Sequence, residues 1–133
     1  MSRVNVSSGA PWEAKVGYCR AVRTGPHIAV SGTAPLTPDG ELFGRGDAYV
    51  QAQRCIEIIA AALAELGAGL EHVVRTRIFV TDISQWEAVG RAHGEAFGDI
   101  RPASSMVQVA ALVDPGMLVE IEADALLPEA DGE

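Results

Sequence analysis

Val119-Glu120-Ile121-Glu122-Ala123-Asp124-Ala125 alternates apolar and acidic residues without a slip. In a strand, successive side chains point to opposite faces. Glu120, Glu122 and Asp124 therefore share one face, and Val119, Ile121, Ala123 and Ala125 share the other. Three carboxylates along one strand face repel one another unless water or cations neutralise them. That face is a site, a subunit boundary or a costly piece of surface.

Working outward, Met117 to Leu126 reads as the last strand and Ser104 to Val109 as the strand before it, with a Pro115-Gly116 turn between them. Val73 to Thr81 is rich in β-branched residues and reads as another strand. Ser84-Gln85-Trp86-Glu87 has the form of a capping box opening a helix to about Phe97, with Gly98 after it. Asp47 is placed to cap a longer helix whose apolar positions Ala48, Ala52, Ile56, Ile59, Leu63 and Leu66 keep helical spacing. Gly67 stands where such a helix wants a left-handed residue. Val16 to Arg23 and His27 to Ser31 read as a hairpin turning at Thr24-Gly25-Pro26, and the stretch from Pro35 to Gly46 as a loop. Residues 1–14 read as an irregular arm and residues 128–133 as a frayed acidic tail. The predicted order is ββαβαββ in one α+β domain, with two helices packed on one face of a mixed sheet.

Strand alternation sorts the faces. Val74, Thr76, Ile78 and Val80 are set against Arg75, Arg77 and Phe79; Ser105, Val107 and Val109 are set against Ser104, Met106 and Gln108. Arg75 and Arg77 are positioned to answer the carboxylate row across the sheet. Phe79 and Met106 on that second face point to burial against another chain, hence a homo-oligomer; a solvated face is the alternative.

The chain has 133 residues, 48% of them hydrophobic and only 5% aromatic, with a net charge of −8. One domain with an aliphatic core follows. The acidic balance and the lack of a basic cluster argue against nucleic acid as a partner. No apolar run reaches membrane-spanning length, and the first thirty residues carry no charged-then-apolar leader. A cytoplasmic protein with no membrane partner is expected. Cys19 and Cys55 lack metal-ligand spacing and read as small hydrophobes.

No phosphate loop, HExxH helix or GxSxG elbow occurs. His27, His72 and His93 lie far apart, and His93 falls on a helical stripe with Trp86, Val89 and Phe97, which favours packing over catalysis. No metal site is expected. Glu120 is the acid singled out as a general acid/base holding a water in a partly dry cleft, although spacing alone does not separate it from Glu122. Gly32, after Val30-Ser31, either brings a backbone N–H close to a ligand or ends a strand.

The element order resembles the YjgF/RidA family when taken with five motifs. These are Gly17-Tyr18, Val30-Ser31-Gly32-Thr33, Val74-Arg75-Thr76-Arg77-Ile78-Phe79-Val80-Thr81-Asp82, Arg101-Pro102-Ala103 and Val119-Glu120-Ile121-Glu122-Ala123. These are the reactive-intermediate deaminases, often labelled L-PSP endoribonucleases or translation inhibitors, and the likeness runs from about Val16 to Leu126. The resemblance implies a chorismate-mutase-like fold, a homotrimer with sheets inward, and small-molecule clefts between subunits. It also implies hydrolysis of imines or enamines to a carbonyl product and ammonia with no cofactor. By the same resemblance Tyr18 is the cleft tyrosine, Gly32 the residue whose backbone meets the ligand, and Glu120 the acid that orients water. Met106 stands where active members carry a small residue whose backbone N–H contacts the ligand.

The departure is at Ser104. Deaminase-competent members read Pro-Ala-Arg-Ser where this chain reads Pro102-Ala103-Ser104-Ser105, so the carboxylate-clamping arginine is missing. Arg101, Arg75 and Arg77 are the candidate replacements. The departure weighs against standard 2-aminoacrylate turnover and leaves a non-catalytic ligand-binding or regulatory role as the rival, with an endoribonuclease third.

Overall fold

The structure is a computed structural model that describes residues 2–128. Its strands are Arg3–Val6 (β1), Ala21–Thr24 (β2), His27–Thr33 (β3), Val73–Val80 (β4), Ala103–Gln108 (β5) and Val119–Leu126 (β6). Its helices are Pro11–Val16 (α1), Ala48–Glu65 (α2) and Trp86–Phe97 (α3). The strands form one six-stranded sheet in the order β1-β2-β3-β6-β4-β5. Only β4 and β5 run parallel, joined through α3, so the sheet is mixed as expected.

The core lies between the sheet and the helices. Val119, Ile121, Ala123 and Ala125 are all fully buried, and so are Ile28 of β3 and Ile59 and Leu63 of α2. Each large aliphatic side chain removed from water in this way contributes about 1.5–3 kcal/mol. α2 lies over β3 and β6, and α3 packs beside it. Asp47 caps α2 by accepting the Val50 N–H at 3.1 Å, and the helix ends at Gly67, where φ is 81°. All six apolar positions predicted for its inner stripe are buried.

The N-terminal arm is a correction. Residues Arg3–Val6 are a sixth strand, paired antiparallel to β2 from Arg3↔Thr24 to Val6↔Ala21. Pro11 then starts a short helix at the position where a missing N–H costs nothing. Gly17, at φ 91°, ends it, so the strand expected from Val16 begins only at Ala21. Two predictions change more modestly. Asp82, not Ser84, caps the turn ahead of α3, its carboxylate accepting the Ser84 N–H at 3.0 Å. Trp86 is 56% exposed and so leaves the apolar stripe of α3. Of the predicted tail, 128–133, all but Pro128 lies outside the described residues.

Two corrections concern the faces. A register shift between Val73 and Arg75 turns Val73 into the core and leaves Val74 48% exposed. The parallel pairing Thr76↔Ser104, Ile78↔Met106 and Val80↔Gln108 puts Ser104, Met106 and Gln108 on the helix side. Met106 packs against the core, whereas Val107 faces the open side with Phe79. Alternation set the faces of β6 and of β4 from Arg75 onward; only the pairing could say which face of β5 was inner.

The open face carries Arg77 opposite Glu122, and its Nη1 lies 3.2 Å from both Glu122 and Asp124. These side chains are 30–43% exposed. Arg77→Gln is therefore expected to lower stability by only about 1 kcal/mol, with most of the loss disappearing at high salt. Urea unfolding at two ionic strengths measures it.

Candidate functional site

Between β3 and β6 the register runs Val30↔Ala123 and then Thr33↔Ile121, so β3 carries one residue more than its partner. Such a bulge re-aims the side chains around it. Here it brings Gly32 under the carboxylate of Glu120: a Cβ on Gly32 would overlap Oε2 and stand 3.1 Å from Cδ. Gly32 lies inside β3, one residue before its end. What approaches it is the side chain of Glu120.

Glu120 stands apart from its two neighbours in the acidic row. Glu122 and Asp124 are engaged by Arg77, while Glu120 has no ion pair among the described residues. Burial pushes its carboxyl above the ordinary value of 4.5; Arg20 pulls it back and Glu122 adds to the rise. A carboxyl whose folded pKa lies above its unfolded value binds its proton more tightly in the fold. Its contribution to stability therefore declines as pH rises from 4.5 through the folded value. Glu120→Gln removes that decline. The variant is expected to melt above the parent at neutral pH, and the gap should close near about pH 4; an equal gap at both pH values would reject the assignment.

Glu120 opens into a cavity of about 660 Å³ bounded by the α1 segment, the loop after β3, and α2. Tyr18, Arg20, Ser31, Gly32 and Glu120 supply its polar end. Trp12, Val16, Leu36, Ile58, Val113 and Met117 supply an apolar wall. Arg20 is only 6% exposed; its Nη1 donates to Gly32 O at 2.8 Å and Thr33 Oγ1 at 3.1 Å. Its guanidinium lies over the Tyr18 ring, 5.7 Å from the centroid. Glu13, 5% exposed, sits 3.8 Å from Arg20 Nε and accepts from Ser7 Oγ and from the N–H and hydroxyl of Ser8.

The structure thus brings Tyr18, Gly32 and Glu120 together. Ser104, Met106 and Arg101 do not line the cavity. Ser104 lies on the edge strand, its Oγ 2.7 Å from Thr76 Oγ1, which in turn lies 2.8 Å from His93 Nε2. Burial holds His93 below its usual pKa, and its ring packs on Phe97 at 4.6 Å, which fits the packing role read for it. Arg101 is exposed at φ 56° and donates through Nε to Gly98 O at 3.1 Å. Arg75 and Arg77, the other candidates, do not line the cavity either.

Arg20 and Glu13 escaped the sequence reading. Their pairing depends on α1, and α1 was hidden inside a stretch rich in Ser, Gly and Pro. Cys19 and Cys55 are both free, and burial pushes the Cys55 thiol far up. Among the described residues no group of three His, Cys, Asp or Glu gathers as a metal site, and no helix is long and apolar enough to cross a membrane.

The sequence model of the family described as "Endoribonuclease L-PSP" matches residues 8–127. The chain belongs to that family. A solved member of the YjgF/YER057c/UK114 family from Mycobacterium tuberculosis is 52% identical with a TM-score of 0.88, covering 95% of this chain and 100% of its own. An uncharacterized protein of Streptomyces coelicolor is 39% identical over 90% of this chain and 89% of its own length. The 3-aminoacrylate deaminase RutC of Acinetobacter baylyi is 34% identical over 78% of this chain and 82% of its own. The YjgF/RidA resemblance therefore stands, and the L-PSP fold with it. Membership names a fold and a set of relatives; the chemistry rests on the cavity.

Proposed function

We propose that this protein is a homotrimer that binds a small metabolite in clefts between subunits and hydrolyses an imine, enamine or related nitrogen compound. The observation that carries this reading is the Glu120 carboxyl, half-buried in a cavity, without an ion pair among the described residues and raised by burial. A base poised nearer neutral pH than an ordinary carboxylate suits proton transfer to and from water. Glu120 takes a proton from water as its oxygen attacks the imine carbon. Glu120 returns that proton to the imine nitrogen, giving a neutral carbinolamine. It then takes the carbinolamine's hydroxyl proton as the carbonyl forms and hands it to the nitrogen, which leaves as ammonia when the C–N bond breaks. Atoms balance without a cofactor. The RutC relative's deaminase name supports the reaction class.

The trimer is supported by what one chain leaves open. β5 is an edge strand, Phe79 and Val107 face the uncovered side, and Ser104 and Met106 stand away from the cavity that holds Glu120. Setting one protomer's β5 against its neighbour's cavity would complete the cleft. Sedimentation equilibrium should return three times the chain mass.

The decisive experiment generates imino acids enzymatically and follows keto-acid release above the spontaneous rate. Glu120→Gln should lower that release on the order of 10²–10⁴-fold. Release unaffected by the substitution would remove Glu120 from the reaction. Binding without turnover in the parent would favour the ligand-binding role, for which the missing arginine at Ser104 speaks.

A further inference from the structure

A serine hydroxyl is a poor nucleophile until a base takes its proton. The parallel unit β4-α3-β5 links Ser104 to one. Thr76 of β4 is the register partner of Ser104 on β5, and α3, the crossover between those strands, carries His93. Thr76 is fully buried, with its Oγ1 2.8 Å from His93 Nε2 and 2.7 Å from Ser104 Oγ. None of the three lines the Glu120 cavity.

The first contact alone would satisfy the two inner groups. The second leads out of the core, because Ser104 is exposed on an edge strand where water is available to its hydroxyl. A hydroxyl both donates and accepts, and its hydrogen turns to suit. Two proton arrangements therefore fit these distances. In one, His93 Nε2 donates to Thr76 and Thr76 to Ser104. In the other, Ser104 donates to Thr76 and Thr76 to an unprotonated Nε2, which gives the Ser104 proton a route to a base. Burial holds His93 below its usual pKa, so at neutral pH the ring is uncharged and able to accept. Its packing on Phe97 at 4.6 Å keeps the ring in place.

We infer that Ser104 is a nucleophile activated through Thr76 by His93, and that this second site takes acyl donors of the aryl-ester type. Ser104 Oγ attacks the ester carbonyl and forms the new C–O bond. Its proton passes to Thr76 Oγ1 while Thr76 gives its own to His93 Nε2. The ester's C–O bond breaks, the aryloxide leaves as an anion with the bonding pair, and His93 loses the extra proton to water. Water then hydrolyses the acyl-serine, releasing the acid and restoring the hydroxyl. Glu120 takes no part, so this site and the proposed imine chemistry stand or fall separately.

A fluorophosphonate tests the nucleophile: Ser104 Oγ displaces fluoride from phosphorus, and peptide mass spectrometry locates the adduct. Ser105 is the internal control, since it is also exposed but lies on the opposite face, paired with Arg77. Ser104 should label on the order of 100-fold faster than Ser105. Thr76→Val, which keeps the shape and removes the hydroxyl, should bring Ser104 down to the rate of Ser105, as should His93→Phe. Thr76→Ser keeps the hydroxyl and should retain most of the rate, although it leaves a small void. Packing alone would rank valine above serine, so that order separates a relay from a structural role. The parent should also release nitrophenolate from 4-nitrophenyl acetate in a burst that Ser104→Ala lacks. Equal labelling of the two serines, or labelling of neither, overturns the proposal. Fast labelling of Ser104 that survives both Thr76→Val and His93→Phe overturns the relay. The comparison of the two serines needs only the parent protein, so a destabilised variant leaves the test decisive.

Discussion

Gly32→Ala is expected to abolish turnover while leaving the fold intact. A Cβ on Gly32 would occupy the space of Glu120 Oε2 and crowd Cδ to 3.1 Å. The obstructing atoms are the far end of a flexible side chain, so the strand need not move; the carboxylate must. Gly32 does not need a positive φ, so alanine adds no backbone strain of that kind. Displacing a catalytic group by about 1 Å can cost on the order of 100-fold in rate. The substitution should therefore bring keto-acid release close to that of Glu120→Gln, with a melting temperature within a few degrees of the parent. The two substitutions should not be additive, since both disable one group. Full activity in Gly32→Ala would show that the Gly32–Glu120 juxtaposition does not hold the working acid in place.

That juxtaposition marks the limit of what the sequence could disclose. The alternation from Val119 to Ala125 put Glu120 on the open face, and the structure agrees residue by residue. It could not separate Glu120 from Glu122. The separation comes from Arg77, two strand positions away from Glu120's partner Phe79, which pairs with Glu122 and Asp124 and leaves Glu120 without an ion pair among the described residues. The bulge at Ser31-Gly32 was equally silent, because one extra residue in a pairing is a property of two strands together. The same holds for Met106: its face depended on the parallel pairing with Ile78, and a one-residue difference in phase inverts it. Local signals were read well where a single residue sufficed, as with Asp47 capping α2 and Gly67 ending it. Arg20 needed three segments at once, namely α1 with Glu13, the approach to β2, and the β3 bulge.

Gln51→Leu is expected to cost about 3 kcal/mol, more than the loss of any surface ion pair here. Gln51 is fully buried in the middle of an apolar helix face. Its Nε2 donates to Gly44 O at 3.3 Å and Gly116 O at 3.0 Å, and its Oε1 accepts the Leu118 N–H at 2.8 Å. One side chain thus satisfies three backbone groups from two loops and fixes α2 to both. Leucine has similar volume and greater hydrophobicity, and on a core-packing view it should stabilise. Yet it strands those backbone groups in the interior, where each unpaired one costs about 1–3 kcal/mol, and the gain from burying a leucine offsets only part of that. The loss is a large fraction of a marginal domain's total stability, which is about 5–15 kcal/mol. Urea unfolding monitored by circular dichroism measures it directly. Because Met117, between two of the groups Gln51 holds, lines the cavity, ligand affinity should fall along with stability. An increase in stability would mean that the two loops find other donors and acceptors, and that Gln51 is not what fixes the cavity floor to α2.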